Sequence, residues 1–155
     1  MGLQLILCVE ANKKTKTDYI YIKETIEHFY EIDQAEIKIS PVYMDSKTKY
    51  EAKQKEVEKL EKIYRHRACG NRSVVIYFFD CDDYDIKHED QVFLNKAKEF
   101  CKKNGYEFVW FCKDIERVYI GKKVNDKQKE KEAIAFKQKK LIDHVHEQNL
   151  RRQRY

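Results

Sequence analysis

The chain has 155 residues, of which 42% are hydrophobic and 38% are charged, and its net charge is +5 at pH 7. The hydrophobic residues are clustered in segments, which indicates one folded domain and excludes an intrinsically disordered chain. No apolar segment approaches the ~20 residues of a transmembrane helix, and the first apolar segment is too short for a signal peptide with its cleavage site.

The first half of the chain predicts two strands and two helices. The apolar segment Leu3–Val9 is typical of a buried parallel strand and ends on Glu10. A helix is predicted from Thr17 to about Glu31, and we interpret Thr17 or Asp18 as its N-cap rather than as a catalytic group. Residues 36–43 predict a second strand, which their proline places at a sheet edge or bulge. A charged helix is predicted over residues 48–67.

The centre of the chain is the segment SVVIYFFDCDDYD, residues 73–85. The run of six residues from Val74 to Phe79 is too apolar for a strand with one solvent-exposed face, so it predicts a central strand of a parallel sheet. This strand is followed at once by four acids, which are Asp80, Asp82, Asp83 and Asp85. A helix is then predicted from about residue 89 to 103.

The last third predicts a fourth strand and two further helices. The strand spans residues 106–111, and a short helix over residues 114–120 follows it. A basic helix is predicted from about Lys127 to Gln148, with four apolar residues in contact with the rest of the fold: Ala133, Phe136, Leu141 and Val145. The alternation of strand and helix predicts an α/β fold with a four-stranded, mainly parallel sheet flanked by helices, plus a C-terminal basic helix.

The cysteine pattern indicates the cellular compartment, and the glycine pattern bears on nucleotide binding. The five cysteines are odd in number and lack C-x-x-C spacing, which indicates reduced thiols in a cytoplasmic protein. The four glycines form neither G-x-G-x-x-G nor G-x-x-x-x-G-K, which argues against a dinucleotide-binding or P-loop protein.

The acids after the first and third strands predict a metal site. The carboxyl ends of parallel strands meet at one edge of a sheet, where ligands bind, so Glu10 is expected beside Asp80 and Asp82. Like charges this close repel one another, and Mg²⁺ or Mn²⁺ is the usual counter-ion for a site that has only oxygen ligands. The alternative is a solvated acidic turn that caps the following helix.

This constellation resembles the Toprim domain, most of all the OLD-type and RloB-like nucleases of bacterial and phage defence systems. In that family one glutamate follows the first strand, and a D-x-D pair after a later strand holds Mg²⁺ with it. The resemblance covers roughly residues 3–120, and includes VEANKKTKTDYIYI (residues 9–22) and CKDIE (residues 112–116). One departure is Ala11, which stands where Toprim proteins commonly have glycine. The resemblance implies a Toprim-like catalytic domain over residues 1–122, with the basic helix and tail of residues 123–155 in the same compact unit.

The resemblance implies a role for each candidate residue. Asp80 and Asp82 would bind one or two Mg²⁺ or Mn²⁺ ions, and Glu10 would be a further ligand or a general acid/base. Glu116 or Asp83 would complete a second metal position. The implied catalytic residues are Glu10, Asp80, Asp82 and Lys113, the last as a phosphate contact.

Lysine and arginine residues outside the acidic site predict contact with nucleic acid. The candidates are Lys13, Lys14, Lys16, Arg151 and Arg152. For Lys13 and Lys14 a role as solvated loop charges is the simpler interpretation. DNA or RNA is therefore the expected partner. A partner ATPase and a second copy of the chain are further candidate partners.

Two functional hypotheses follow from the sequence. The first is a metal-dependent nuclease or nicking enzyme for DNA or RNA, of the kind used in phage defence or by mobile elements. The second is a non-catalytic Toprim-like or receiver-like module that binds nucleic acid or a partner protein through the C-terminal helix. A receiver domain would have two acids after the first strand, where this chain has only Glu10, a phosphoacceptor aspartate after the third strand, and a lysine near its end, which Lys113 fits. A phosphatase of the haloacid-dehalogenase type would have its D-x-D pair at that position.

Overall fold

A computed structural model describes residues 1–30, 32–33 and 35–145, which form an α/β fold around one four-stranded sheet. The strands are β1 (Leu3–Val9), β2 (Ile37–Tyr43), β3 (Arg72–Asp80) and β4 (Glu107–Phe111). Their order is β2-β1-β3-β4, and every neighbouring pair is parallel. The predicted fold class is confirmed, and this Rossmann-like sheet is wholly rather than mainly parallel. Pro41 lies on an edge strand, as expected.

Five α-helices are described, and they cover both faces of the sheet. They are α1 (Thr17–Phe29), α2 (Gln54–Arg67), α3 (His88–Asn104), α4 (Ile115–Ile120) and α5 (Asp126–Gln138). Short 3₁₀ turns occupy Lys47–Lys49 and Leu141–His144. None of these helices has the length and apolar character that crossing a lipid bilayer requires.

The central strand β3 separates two hydrophobic cores because its side chains alternate between the faces of the sheet. Val75, Tyr77 and Phe79 pack with the buried residues of α2 and α3. Ile76 and Phe78 pack on the opposite face, where α1, α4 and α5 form the second core. Burial on both faces explains why the strand is apolar at consecutive positions.

The second helix begins later than predicted. Residues 47–49 form a 3₁₀ turn in which the Ser46 hydroxyl accepts a hydrogen bond from the Thr48 backbone, and α2 starts only at Gln54. The buried Tyr50 ring packs edge-on against Phe79, with the ring centroids 5.9 Å apart. The apolar stripe of the helix did not reveal this turn.

The C-terminal helix ends earlier than predicted. α5 ends at Gln138, and Lys140 adopts a left-handed conformation with φ 51°. The break turns Ile142 into the core at 4% exposure, while Leu141, which was expected to contact the rest of the fold, is 37% exposed. Ala133, Phe136 and Val145 are buried as expected. The remainder of the predicted helix, beyond residue 145, lies outside the described residues.

Candidate functional site

Glu10 and Asp80 meet at the carboxyl edge of the sheet. Glu10 directly follows β1, and Asp80 is the last residue of the neighbouring β3. The Asp80 backbone N–H donates a hydrogen bond of 3.0 Å to Glu10 Oε2. The Asp80 carboxylate in turn accepts a hydrogen bond of 2.9 Å from the Ile115 N–H at the start of α4. Both side chains are therefore fixed by backbone contacts, and their predicted proximity is confirmed.

Asp18 belongs to the same group, and the prediction that Thr17 or Asp18 caps α1 is wrong. The cap position is Lys16, which makes no side-chain capping bond. The Asp18 carboxylate instead accepts a hydrogen bond of 3.1 Å from the Ala11 N–H, beside Glu10. An acid in the first helical turn after a strand-terminal acid could have indicated this role.

Glu116 supplies the most deeply buried carboxylate of the group. Its residue is 1% exposed, and its Oε2 atom is buried without a hydrogen-bond partner among the described residues. Its Oε1 atom lies 3.9 Å from Lys129 Nζ of α5. Because a buried polar atom without a partner is costly, Oε2 is a candidate ligand atom. Lys129 was not singled out from the sequence.

We define Glu10, Asp18, Asp80 and Glu116 as the carboxylate cluster, and all four have raised pKa values. Burial, with the charge of Asp18 next, raises the pKa of Glu10 to about 8. Burial, followed by the charges of Glu10 and Asp18, holds the pKa of Asp80 well above its usual range. Burial is also the main cause of the raised pKa values of Asp18 and Glu116. The cluster therefore resists carrying all of its negative charges at once.

Asp82 extends the site on the side of α2 and α3. Its carboxylate forms an ion pair with Lys47 of the 3₁₀ turn, and the Lys47 ammonium lies 4.9 Å from the centroid of the Phe93 ring. Burial lowers the pKa of Lys47, but the hydrogen bond to Asp82 and the charge of Glu10 outweigh it, so the net shift is upward. Lys47 is a second residue that the sequence analysis missed.

Asp83 and Lys113, expected at a second metal position and as a phosphate contact, lie in ion pairs that the sequence analysis did not predict. Lys113 Nζ lies 2.8 Å from Asp85 Oδ1 and 3.4 Å from Asp83 Oδ1. Lys87 Nζ also lies 3.3 Å from Asp83 Oδ2. Hydrogen bonds from Lys87 and Lys113 lower the pKa of Asp83, and the hydrogen bond from Lys113 lowers that of Asp85. The acids at the end of β3 and in the loop after it are thus divided, with Asp80 in the carboxylate cluster and Asp83 paired with lysines.

The backbone holds the two loops of the site together. Asp82 and Lys113 both have left-handed conformations, with φ of 48° and 65°. The Asp82 N–H donates a hydrogen bond of 2.8 Å to the Lys113 carbonyl, and the Lys113 N–H contacts the Cys81 sulfur at 3.0 Å. Such backbone conformations cost about 1–2 kcal/mol per non-glycine residue, and they are concentrated at functional sites.

Only three of the five residues predicted to contact nucleic acid lie among the described residues. Lys13, Lys14 and Lys16 lie exposed on the turn between Glu10 and α1, at the same edge of the sheet as the carboxylate cluster. Arg151 and Arg152 lie outside the described residues.

The donor set suits a hard divalent cation, because the cluster and Asp82 provide only carboxylate oxygens and Glu116 Oε2 has no partner. Among the described residues, however, no group of three or more His, Cys, Asp or Glu side chains is already arranged as a metal site. Asp82 is engaged by Lys47 in this arrangement.

Comparison of the chain with models of protein families, with curated proteins and with solved structures finds no match. The Toprim resemblance therefore rests on the residues of the chain itself, and it stays a prediction.

Proposed function

We propose that the chain is a metal-dependent nuclease or nicking enzyme of the Toprim type, which cleaves phosphodiester bonds of DNA or RNA with Mg²⁺ or Mn²⁺. The observation that carries the proposal is the carboxylate cluster at the carboxyl edge of a parallel sheet. Four acids from separate parts of the chain share this site, and their pKa values are raised because their charges are buried together. A protein gains nothing in stability from such a cluster, whereas a divalent cation would neutralise it.

Glu10, Asp80 and Asp82 would hold the ion, with Asp18 and Glu116 available for a second position. When bound, the ion would supply charge stabilisation for the reacting phosphate. In the alternative arrangement, in which Glu10 stays off the ion, its pKa of about 8 would let it exchange a proton with the attacking water or the leaving oxygen near neutral pH. Lys129, close to Glu116, would limit the repulsion among the carboxylates.

The partners and compartment that we propose follow from the same features. Lys13, Lys14 and Lys16 beside the site would contact the backbone of DNA or RNA, with Arg151 and Arg152 as further contacts. The five cysteines are thiols, three of them buried, and this favours a cytoplasmic location. A role in phage defence or mobile-element biology, a partner ATPase and a homodimer remain part of the proposal through the Toprim resemblance.

A non-catalytic binding module is the second candidate. The observation in its favour is that lysines already neutralise three of the acids, since Lys47 pairs with Asp82, and Lys113 with Asp83 and Asp85. A receiver-like version is less favoured because Lys113 pairs with Asp83 and Asp85 rather than contacting Asp80.

Cleavage assays separate the two candidates. Labelled plasmid, single-stranded DNA and RNA would be incubated with Mg²⁺, Mn²⁺ or EDTA and with the wild type or Asp80→Asn. We expect metal-dependent cutting that Asp80→Asn abolishes and that Asp143→Asn, an exposed acid of the second 3₁₀ turn, leaves unchanged. Binding without cutting by the wild type would support the module, and cutting that survives Asp80→Asn would contradict the proposed site.

A further inference from the structure

Lys47 is held at the site by two different contacts. Its ammonium pairs with the Asp82 carboxylate, and it lies over the Phe93 ring of α3 at 4.9 Å from the centroid. Its side chain is 22% exposed. The neighbouring Lys49, two residues further along the same 3₁₀ turn, is 53% exposed and pairs with Asp45 outside the carboxylate cluster. The turn therefore directs one lysine to the site and the other away from it.

The charges around Lys47 explain why it stays protonated in a half-buried position. Besides Asp82, the negative charges of Glu10 and Asp90 favour its ammonium form. The aromatic face of Phe93 adds a cation–π contact, which is stronger where water is partly excluded. Lys47 is thus a permanent positive charge next to a residue that is expected to bind the metal.

We propose that Lys47 is a built-in counter-ion that competes with the divalent cation for Asp82 and contacts the substrate phosphate once that cation is bound. This inference rests on the proposed nuclease function and adds a residue to its site. The exchange is purely ionic, since the ammonium leaves Asp82, the divalent cation takes its place, and no covalent bond changes.

The positive charge of Lys47 affects both the affinity for metal and the contact with phosphate. An ammonium beside a divalent cation repels it, so Lys47 lowers the affinity of the site for metal. After the exchange, the ammonium has lost its carboxylate partner and is available to contact the phosphodiester held at the metal. A lysine contact of this kind stabilises the charge that develops on the phosphate oxygens during cleavage.

The test is a calorimetric titration of Mn²⁺ into the metal-free wild type, Lys47→Met and the matched control Lys49→Met. Methionine keeps an unbranched side chain and removes the ammonium that lies over the Phe93 ring. We expect Lys47→Met to bind Mn²⁺ on the order of tenfold more tightly, as removal of one repulsive charge predicts. We expect the same variant to cleave nucleic acid at least about tenfold more slowly at saturating Mn²⁺, the scale of losing one charge-stabilising contact. Lys49→Met should match the wild type in both assays.

The opposite changes in metal affinity and cleavage exclude a merely structural role, because a damaged fold would weaken both. Unchanged or weaker Mn²⁺ binding by Lys47→Met would overturn the competition, and tighter binding with unchanged cleavage would overturn the phosphate contact. If circular dichroism shows that Lys47→Met does not fold, Lys47→Gln replaces it with the same expected results. A wild type that binds Mn²⁺ and cuts, with a Lys47→Met that behaves identically, contradicts this inference alone. A wild type that neither binds nor cuts contradicts the proposed function.

Discussion

At this site, burial and the surrounding charges determine the pKa of an acidic residue more than its residue type does. Asp80 and Asp83 are three positions apart, yet burial and neighbouring acids raise the pKa of Asp80, while lysines lower that of Asp83. The difference arises because Asp80 ends a buried strand and Asp83 lies on the loop that follows it. Asp80 is therefore buried among other acids, whereas lysines already pair with Asp83.

Glu10 gives a pH prediction at this scale. Its pKa is about 8 in the folded protein and 4.5 in an unperturbed chain, so the folded state favours the protonated form. The stabilisation is complete below pH 4.5 and is lost as pH rises through about 8. We expect the melting temperature of the metal-free protein to fall by several degrees between pH 5 and pH 8, and Glu10→Gln to reduce this fall. The measurement is thermal unfolding by circular dichroism in EDTA.

The same experiment with Mn²⁺ has a separate expected outcome. A bound cation stabilises the ionised cluster, so the melting temperature at pH 8 should recover when the metal is added. Glu24→Gln, a variant of an acid on α1 away from the cluster, is the control and should retain the pH dependence of the wild type. A wild-type melting temperature that rises from pH 5 to pH 8 without metal would contradict the assigned direction of the pKa shift.

Among the elements, α5 is important because it brings Lys129 to Glu116. The helix is fixed by Phe136, which is 1% exposed and packs against Tyr21 and Tyr119 at centroid distances of 5.0 and 5.8 Å. The site is therefore assembled partly by an element far from the strands in sequence. The helix itself carries four lysines and three acids, so it is not strongly basic.

Phe136→Ala tests the docking of α5. Removing a buried phenylalanine side chain costs about 3–5 kcal/mol in the free energy of unfolding, because contacts are lost and a cavity remains. The measurement is urea denaturation, with Ile134→Ala, at a position that is 40% exposed on the same helix, as the control. The control should lose much less stability, and equal losses for both variants would mean that α5 does not pack through Phe136.

On the scale of the whole molecule, the direction of the strands separates two basic regions. Lys13 and Lys14 follow β1 and lie at the carboxyl edge with the carboxylate cluster. Lys102 and Lys103 end α3, which returns the chain to the amino edge before β4. Both pairs are exposed, but only the first lies at the same edge of the sheet as the carboxylate cluster.

We expect Lys13→Ala/Lys14→Ala to weaken nucleic-acid binding and to reduce the slope of log K against log salt by about 2, since each lost phosphate contact reduces it by about 1. Lys102→Ala/Lys103→Ala removes the same charge at the opposite edge and should leave the slope unchanged. The measurement is fluorescence anisotropy of labelled DNA and RNA across a salt series. Equal changes for the two double variants would show a diffuse electrostatic effect in place of a bound backbone at the site.

The sequence by itself determined the sheet and the first contacts of the site. Continuous apolar segments identify strands that are buried on both faces, and β1 has the predicted bounds. Since parallel strands end at one edge, the positions of Glu10 and Asp80 followed from their places directly after β1 and at the end of β3. These features are local in sequence or follow from strand direction, so they could be predicted.

The tertiary structure decided which other charges join the site. Asp18 resembles an ordinary N-cap, and nothing in their sequence neighbours distinguishes Lys47 and Lys129 from the many other lysines on charged segments. Their roles depend on where α1, the 3₁₀ turn and α5 pack against the sheet. The end of α5 was decided in the same way, because burial of Ile142 outweighs the continuation of a helical pattern through Lys140. Packing of distant segments fixes these contacts, and helix periodicity describes only the segment in which it occurs.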